Sequence, residues 1–281
     1  MKKEFRNYHA YALVTGAASG MGRIYASRLA HMGYNLVLVD INEKGLAETE
    51  NIVSAQIAAS DTVSEEARNK FQILQVVQDL SAMDAADIIY EKTEAAGCEV
   101  EVLVNNAGVM FCQGMAETSE RMLKLIMMVH MNTPLMLCRK YVGQMKERGR
   151  GYILNISSLA AWMSWPGIGM YGNTKRFVRN YSRELRIECQ KTGVSVTNAY
   201  FGAVDTPLVP LKDSYRKLAR ALAVMIKPEK AVDRALKATF RRRRGTMPGL
   251  LNKIFLPFIV ILPDSLLGWI YRKAKPYLMK V

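Results

Sequence analysis

Histidine and cysteine are both scarce in this chain, at three and four in 281 residues. Cys98, Cys112, Cys138 and Cys189 are scattered, with no C-x-x-C and no paired spacing. That argues against a zinc site and a disulfide framework, and free thiols in a reducing cytoplasm fit best. His9, His31 and His130 read as structural or surface residues, so no metal is expected. His130 stands two positions before Asn132, a separation that on an α-helix points it elsewhere. Long apolar runs are missing too. Lys253, Pro257, Pro263 and Asp264 interrupt the apolar C-terminal stretch, so it does not approach the ~20 residues that cross a bilayer. The start, Met1-Lys2-Lys3-Glu4-Phe5-Arg6, leads into no apolar segment of signal-peptide length, and secretion is not expected.

Acidic residues are few only toward the end. From Phe201 to Val281 there are 17 Lys/Arg and 5 Asp/Glu, which carries 12 of the net +14 and leaves the first 200 residues near neutral. A basic tail on a neutral body suggests a local task, and a nucleic-acid partner is not expected.

Half of the residues are hydrophobic, enough for a substantial core. Short, nearly continuous apolar runs recur at 10–15, 35–40, 73–77, 100–104, 152–156 and 194–199, the form of strands buried on both faces. Helical patterns lie between them at 21–32, 43–57, 82–96, 117–148 and 171–192, with extra helix or a surface loop at 52–70. This alternation predicts an α/β fold with a doubly wound parallel sheet, Rossmann-type. One domain is expected over 8–249, closed by a weak last strand at 245–249. A C-terminal apolar and basic extension follows over 250–281.

The first strand runs into Thr15-Gly16-Ala17-Ala18-Ser19-Gly20-Met21-Gly22. Gly16 allows a tight turn, Gly20 lets backbone approach a pyrophosphate, and Gly22 lets the helix pack on the sheet. The helix start then offers free N–H groups and a positive dipole end to phosphates, with Ser19 and Met21 in the same turn. Asp40 ends the second strand. A carboxylate there accepts hydrogen bonds from the adenosine ribose and repels a 2′-phosphate, which favours NAD. Arg23 keeps NADP open, because a guanidinium nearby accommodates that phosphate.

With these features the sequence resembles the short-chain dehydrogenase/reductase family over about residues 8–207, and the arrangement beyond it, Lys227-Pro228, Arg241 to Arg244 and the apolar stretches 250–263 and 266–273, is similar to its hydroxysteroid-dehydrogenase-like members. Asp79-Leu80 follow the third strand, where the family contacts adenine. Asn105-Asn106-Ala107-Gly108 match its N-N-A-G, and Asn132 its helix asparagine. Ser158 stands 13 positions before Tyr171, which opens Y-x-x-x-K with Lys175, and Thr206, with Val204 before it, fits the nicotinamide-contacting threonine. Phe201 replaces the usual proline before Gly202. The resemblance implies that Tyr171, Lys175, Ser158 and Asn132 are catalytic, and that Tyr171 and Lys175 also touch the cofactor.

Tyr171 and Lys175 lie four apart and share a helix face. A nearby ammonium is expected to lower the phenol pKa toward the working range. Ser158 would hold the substrate oxygen, and Asn132 would anchor a water beside Lys175. Trp165 and its apolar neighbours would wall a pocket for a hydrophobic alcohol or ketone, steroid-like or long-chain acyl. The competing readings are an NADPH-linked 3-oxoacyl thioester reductase and a non-enzymatic dinucleotide sensor or membrane scaffold. The extension is expected to be a substrate lid, a subunit contact or a peripheral membrane surface, on a cytoplasmic protein that forms a dimer or tetramer.

Overall fold

The computed structural model describes residues 8–162, 167–206, 225–249, 256 and 260–278. Strand and helix alternate from the start: β1 (Tyr11–Thr15), α1 (Gly20–Ala30), β2 (Asn35–Asp40), α2 (Glu43–Ala58), α3 (Glu65–Lys70), β3 (Ile73–Val77), α4 (Ala85–Ala95) and β4 (Val100–Asn105). The second half continues with α5 (Glu120–Met127), a π-helical segment (Met128–Asn132), α6 (Thr133–Glu147), β5 (Gly151–Ser158), a 3₁₀ turn (Leu159–Trp162), α7 (Gly169–Glu188) and β6 (Val194–Phe201). It closes with the short pair β7 (Ala203–Val204) and β8 (Met225–Ile226), then α8 (Pro228–Phe240), β9 (Gly245–Thr246) and α9 (Asp264–Leu278).

Seven strands form one parallel sheet in the order β3-β2-β1-β4-β5-β6-β9. The order reverses between β1 and β4, and a crevice opens there beyond the strand ends, where ligands of such sheets bind. Successive side chains of a strand point to opposite faces. Ala12, Val14, Leu36, Leu38 and Val104 therefore enter one core layer, while Leu13, Val37, Val39, Leu103 and Ile153 enter the other. The stretch 52–70 resolves into the end of α2, a turn, and α3, whose first turn is capped by the Ser64 hydroxyl accepting from the Ala67 N–H at 3.3 Å.

The helix expected over 117–148 is not continuous. Pro134 has no N–H to give to the carbonyl of His130 four residues back, so the α pattern fails there. The Thr133 N–H bonds instead to the Met128 carbonyl five residues back, which makes a π turn between α5 and α6. Among the described residues no helix is long and apolar enough to cross a membrane.

Candidate active site

The crevice at the reversal point is a cavity of about 1060 Å³. Its lining brings together Gly16, Ser19, Gly20, Met21, Asp40, Asp79, Leu80, Asn106, Ala107, Gly108 and Thr206, all expected from the sequence. Gly22 lies beneath it: a Cβ there would stand 1.8 Å from the Gly16 carbonyl oxygen, so helix and turn touch backbone to backbone. Val204 is buried behind Thr206, whose N–H bonds to the Val204 carbonyl at 2.8 Å. Trp165 lies outside the described residues.

The cavity suits a dinucleotide. Gly20 adopts φ +53° and has nothing within 4 Å of where a Cβ would stand, which leaves the backbone open toward the cavity. The first turn of α1 carries no acidic residue and no side-chain cap from Ser19, so its N–H groups are free to meet an anion. Asp40 is held from behind, one carboxylate oxygen accepting from the Ala18 N–H at 3.1 Å and the other from the Asn42 N–H at 3.0 Å. Arg23 is engaged away from such a ligand: it pairs with Glu48 at 2.9 Å and donates to the Thr49 hydroxyl at 3.0 Å and the Ala18 carbonyl at 2.7 Å.

The ends of β1 and β4 are fastened by Thr15, which opens the glycine motif in the sequence but was given no role there. Its hydroxyl accepts from the N–H groups of Asn106 at 3.0 Å and Ala107 at 3.1 Å, and Asn106 Nδ2 returns a bond to the Thr15 carbonyl at 2.9 Å. Residues of α5 and the π segment, among them Arg121, Lys124, Leu125 and Met128, also line the cavity. The sequence reading named none of them, because which face of a helix lines a cavity is set by what that helix packs against.

Past Gly108 lies the second cluster. Ser158 ends β5, Tyr171 and Lys175 lie in the first two turns of α7, and the π segment packs against α7. The Lys175 Nζ stands 5.7 Å from the Tyr171 ring centre and donates to the Ile156 carbonyl at 2.9 Å. The Ser158 Oγ accepts from the Ala160 N–H at 3.2 Å, which leaves its own proton to donate. Asn132 ends the π segment.

Here the electrostatics depart from expectation. Burial pushes the Tyr171 phenol above its ordinary range, and a hydrogen bond from Ser158 offsets only part of that rise. Burial also pulls the Lys175 ammonium down to about 8, so in the cofactor-free chain the lysine yields before the phenol does.

His130 belongs to this cluster, contrary to the sequence reading. It is buried, its ring stands edge-on to Tyr171 at 5.6 Å between centres, and Nε2 accepts from the Val109 N–H at 2.9 Å. The widened π turn brings it inward.

Beside α7 is a smaller pocket of about 230 Å³, walled by Phe111, Met115, Ile168, Met170 and Tyr271. Tyr271 comes from α9 and lies 3.7 Å from where a Cβ on Gly167 would stand.

The short chain dehydrogenase model matches residues 10–216. A very-long-chain 3-oxoacyl-CoA reductase-like protein of Arabidopsis thaliana is 31% identical over 78% of this chain and 72% of its own. A very-long-chain 3-oxoacyl-CoA reductase of Mycosarcoma maydis is 30% identical over 85% of this chain and 63% of its own. Among solved structures, a 7β-hydroxysteroid dehydrogenase superposes with a TM-score of 0.77 at 22% identity, covering 90% of this chain and 92% of that one. A short-chain dehydrogenase of Sphingobium yanoikuyae in complex with NADPH gives 0.73 at 22% identity over 91% and 97%. A 3-ketoacyl-(acyl-carrier-protein) reductase of Brucella melitensis complexed with NADH gives 0.71 at 23% identity over 86% and 97%.

Proposed function

The chain belongs to the short chain dehydrogenase family of oxidoreductases, and from that premise we propose that it interconverts a hydrophobic alcohol and ketone, of long-chain acyl or steroid-like body, with NAD ahead of NADP. The observation that carries the reading is the meeting of Ser158, Tyr171 and Lys175 beside Gly108, where the dinucleotide-sized cavity ends. The nicotinamide ring supplies or takes the hydride when bound. In the direction of reduction the Tyr171 hydroxyl gives its proton to the substrate oxygen, and the Ser158 hydroxyl donates a hydrogen bond to the same atom. Lys175 holds the nicotinamide ribose and favours the phenolate left behind. Asn132 anchors a water that connects Lys175 to solvent, so that Lys175 passes a proton on to the Tyr171 phenolate and takes one back from that water.

Two observations favour NAD: Asp40 faces the cavity, and Arg23 is spent on Glu48 and Thr49. The apolar wall of Phe111, Met115 and Met170 favours a hydrophobic substrate. The names of the two relatives favour a second reading, a 3-oxoacyl thioester reductase; with NADPH as its cofactor, that reading differs from the first in both substrate and dinucleotide. Within the C-terminal extension α9 serves as a lid, with Tyr271 facing the pocket. The extension's outer residues Ile261, Leu266 and Trp269 are exposed, and Arg272 and Lys273 flank them, a pattern that suits an anionic membrane surface.

Both substrate readings are tested by turnover of steroids, long-chain 3-oxoacyl thioesters and small polyols with NAD(H) and NADP(H). Tyr171→Phe should lower kcat by about 10³-fold, while a fluorescence titration finds NADH binding nearly unchanged. Turnover of polyols alone would overturn the substrate class, and full activity in the variant would overturn the role of Tyr171.

A further inference from the structure

The buried imidazole of His130 has a defined set of partners. Nε2 accepts from the Val109 N–H at 2.9 Å, so that nitrogen carries no proton. The proton must then sit on Nδ1, which lies 2.9 Å from the Thr174 Oγ1. The Thr174 hydroxyl spends its own proton on the Tyr171 carbonyl at 2.9 Å, and so receives from Nδ1. A single neutral tautomer satisfies every one of these bonds. A cationic ring would set an N–H against the Val109 N–H and place a second buried positive charge near Lys175.

These bonds join three segments that are far apart in sequence. Val109 belongs to the loop after β4, which lines the dinucleotide cavity. His130 belongs to the π segment, and Thr174 and Tyr171 to the first turns of α7. The ring presses on Tyr171 edge-on, at 74° between planes. A Cβ on Gly108 would lie 3.1 Å from His130 Nε2 and 3.8 Å from Lys175 Nζ, so the loop, the imidazole and the ammonium converge at one spot.

We infer that His130 is a positioning residue, a neutral Nδ1–H clamp that ties the cofactor-side loop at Val109 to the turn of α7 that carries Tyr171. It touches no reacting atom. It fixes the distance between the proton-donating phenol and the cavity wall, a distance on which proton and hydride transfer both depend. The inference rests on the proposed oxidoreductase site for its kinetic consequence, while the clamp itself has a readout that needs no turnover.

That readout is ¹⁵N NMR of the imidazole in the unaltered protein at neutral pH. A protonated Nδ1 beside an unprotonated Nε2 supports the clamp, and an Nε2–H or doubly protonated ring overturns it whatever the chain turns over. The kinetic arm uses NADH and a long-chain 3-oxoacyl thioester. His130→Leu should lower kcat by about 30-fold with both KM values within about threefold of the original. His130→Gln, whose carbonyl can still accept from Val109, should recover a large part of that loss. Thr174→Val should lower kcat as well, and combining it with His130→Leu should add little. Unaltered kcat in His130→Leu, a loss confined to KM, no recovery with Gln, or additive losses would each overturn the positioning role. If the NMR result stands and no substrate is turned over by the unaltered chain, the proposed function fails and the clamp does not.

Discussion

At Lys175 the need for charge and the cost of burial oppose each other. The side chain is 5% exposed, and burial draws its pKa from 10.5 to about 8. The folded chain therefore binds the proton less readily than the unfolded chain does. Below pH 8 both states are protonated and the desolvation cost is present in full. As pH rises from about 8 to 10.5 the folded lysine is neutral while the unfolded one is still charged, and stability rises with pH. At 1.36 kcal/mol per unit the cost is about 3 kcal/mol, less about 1 for the bond to the Ile156 carbonyl. Lys175→Met should thus raise the Tm of the cofactor-free chain at pH 7 by about 4 °C while abolishing turnover. Scanning calorimetry at pH 7 and at pH 10.5 checks this, and the gain should be gone at the higher pH. The pairing of Tyr171 with Lys175 was legible in the sequence, because four residues on a helix are neighbours whatever the fold. The rise of the phenol was not legible, since it comes from desolvation by groups brought in from elsewhere in the chain, the His130 ring among them.

At the scale of elements, the helix that carries Tyr171 and Lys175 is held in register by a buried polar chain. Asn105 Nδ2 at the end of β4 donates to Asn155 Oδ1 in β5 at 2.7 Å, and Asn155 Nδ2 donates to the Ser182 Oγ in α7 at 2.9 Å. Ser157 adds a bond from its hydroxyl to the Lys175 carbonyl at 2.8 Å. These residues convert the position of two central strands into the position of Tyr171. Asn155→Ala would leave the Asn105 amide with the weaker Cys138 sulfur as partner and Ser182 without its donor. It should cost about 2–3 kcal/mol in urea unfolding and lower kcat more than it raises the substrate KM. Most strands and helices were legible from period and glycine punctuation, with ends shifted by a few residues. The π segment was not. Pro134 signals a break, but whether a helix answers with a kink, a stop or a π turn is decided by what packs against it, here α7. Asn105 and Asn155 likewise gave no warning, because asparagines 50 residues apart acquire meaning only when their strands pair.

For the whole molecule, the sheet and the extension answer to different forces. Among the described residues the sheet and its two core layers are complete by β9 at Gly245–Thr246. A chain ending at Gly249 should therefore fold and bind NADH about as tightly as the full chain. It should lose activity on a long-chain thioester more than on a small ketone, because the Tyr271 wall is gone. The same truncation should abolish co-sedimentation with phosphatidylserine vesicles, an attraction of ~1 kcal/mol for each basic residue near the surface that salt weakens. Equal partitioning of the two chains would remove the membrane role and leave the lid.

The glycine turn, the Asp40 strand end and the order of strands and helices were determined by the sequence alone. Each depends on consecutive residues: a period of two or 3.6, a positive φ that glycine tolerates, a carboxylate at a strand end. Tertiary structure alone decided that Arg23 turns to Glu48, that Tyr271 closes over Gly167, and that His130 lies against Tyr171. Those placements join residues tens to about a hundred positions apart, and their energies exist only once the sheet has brought the segments together.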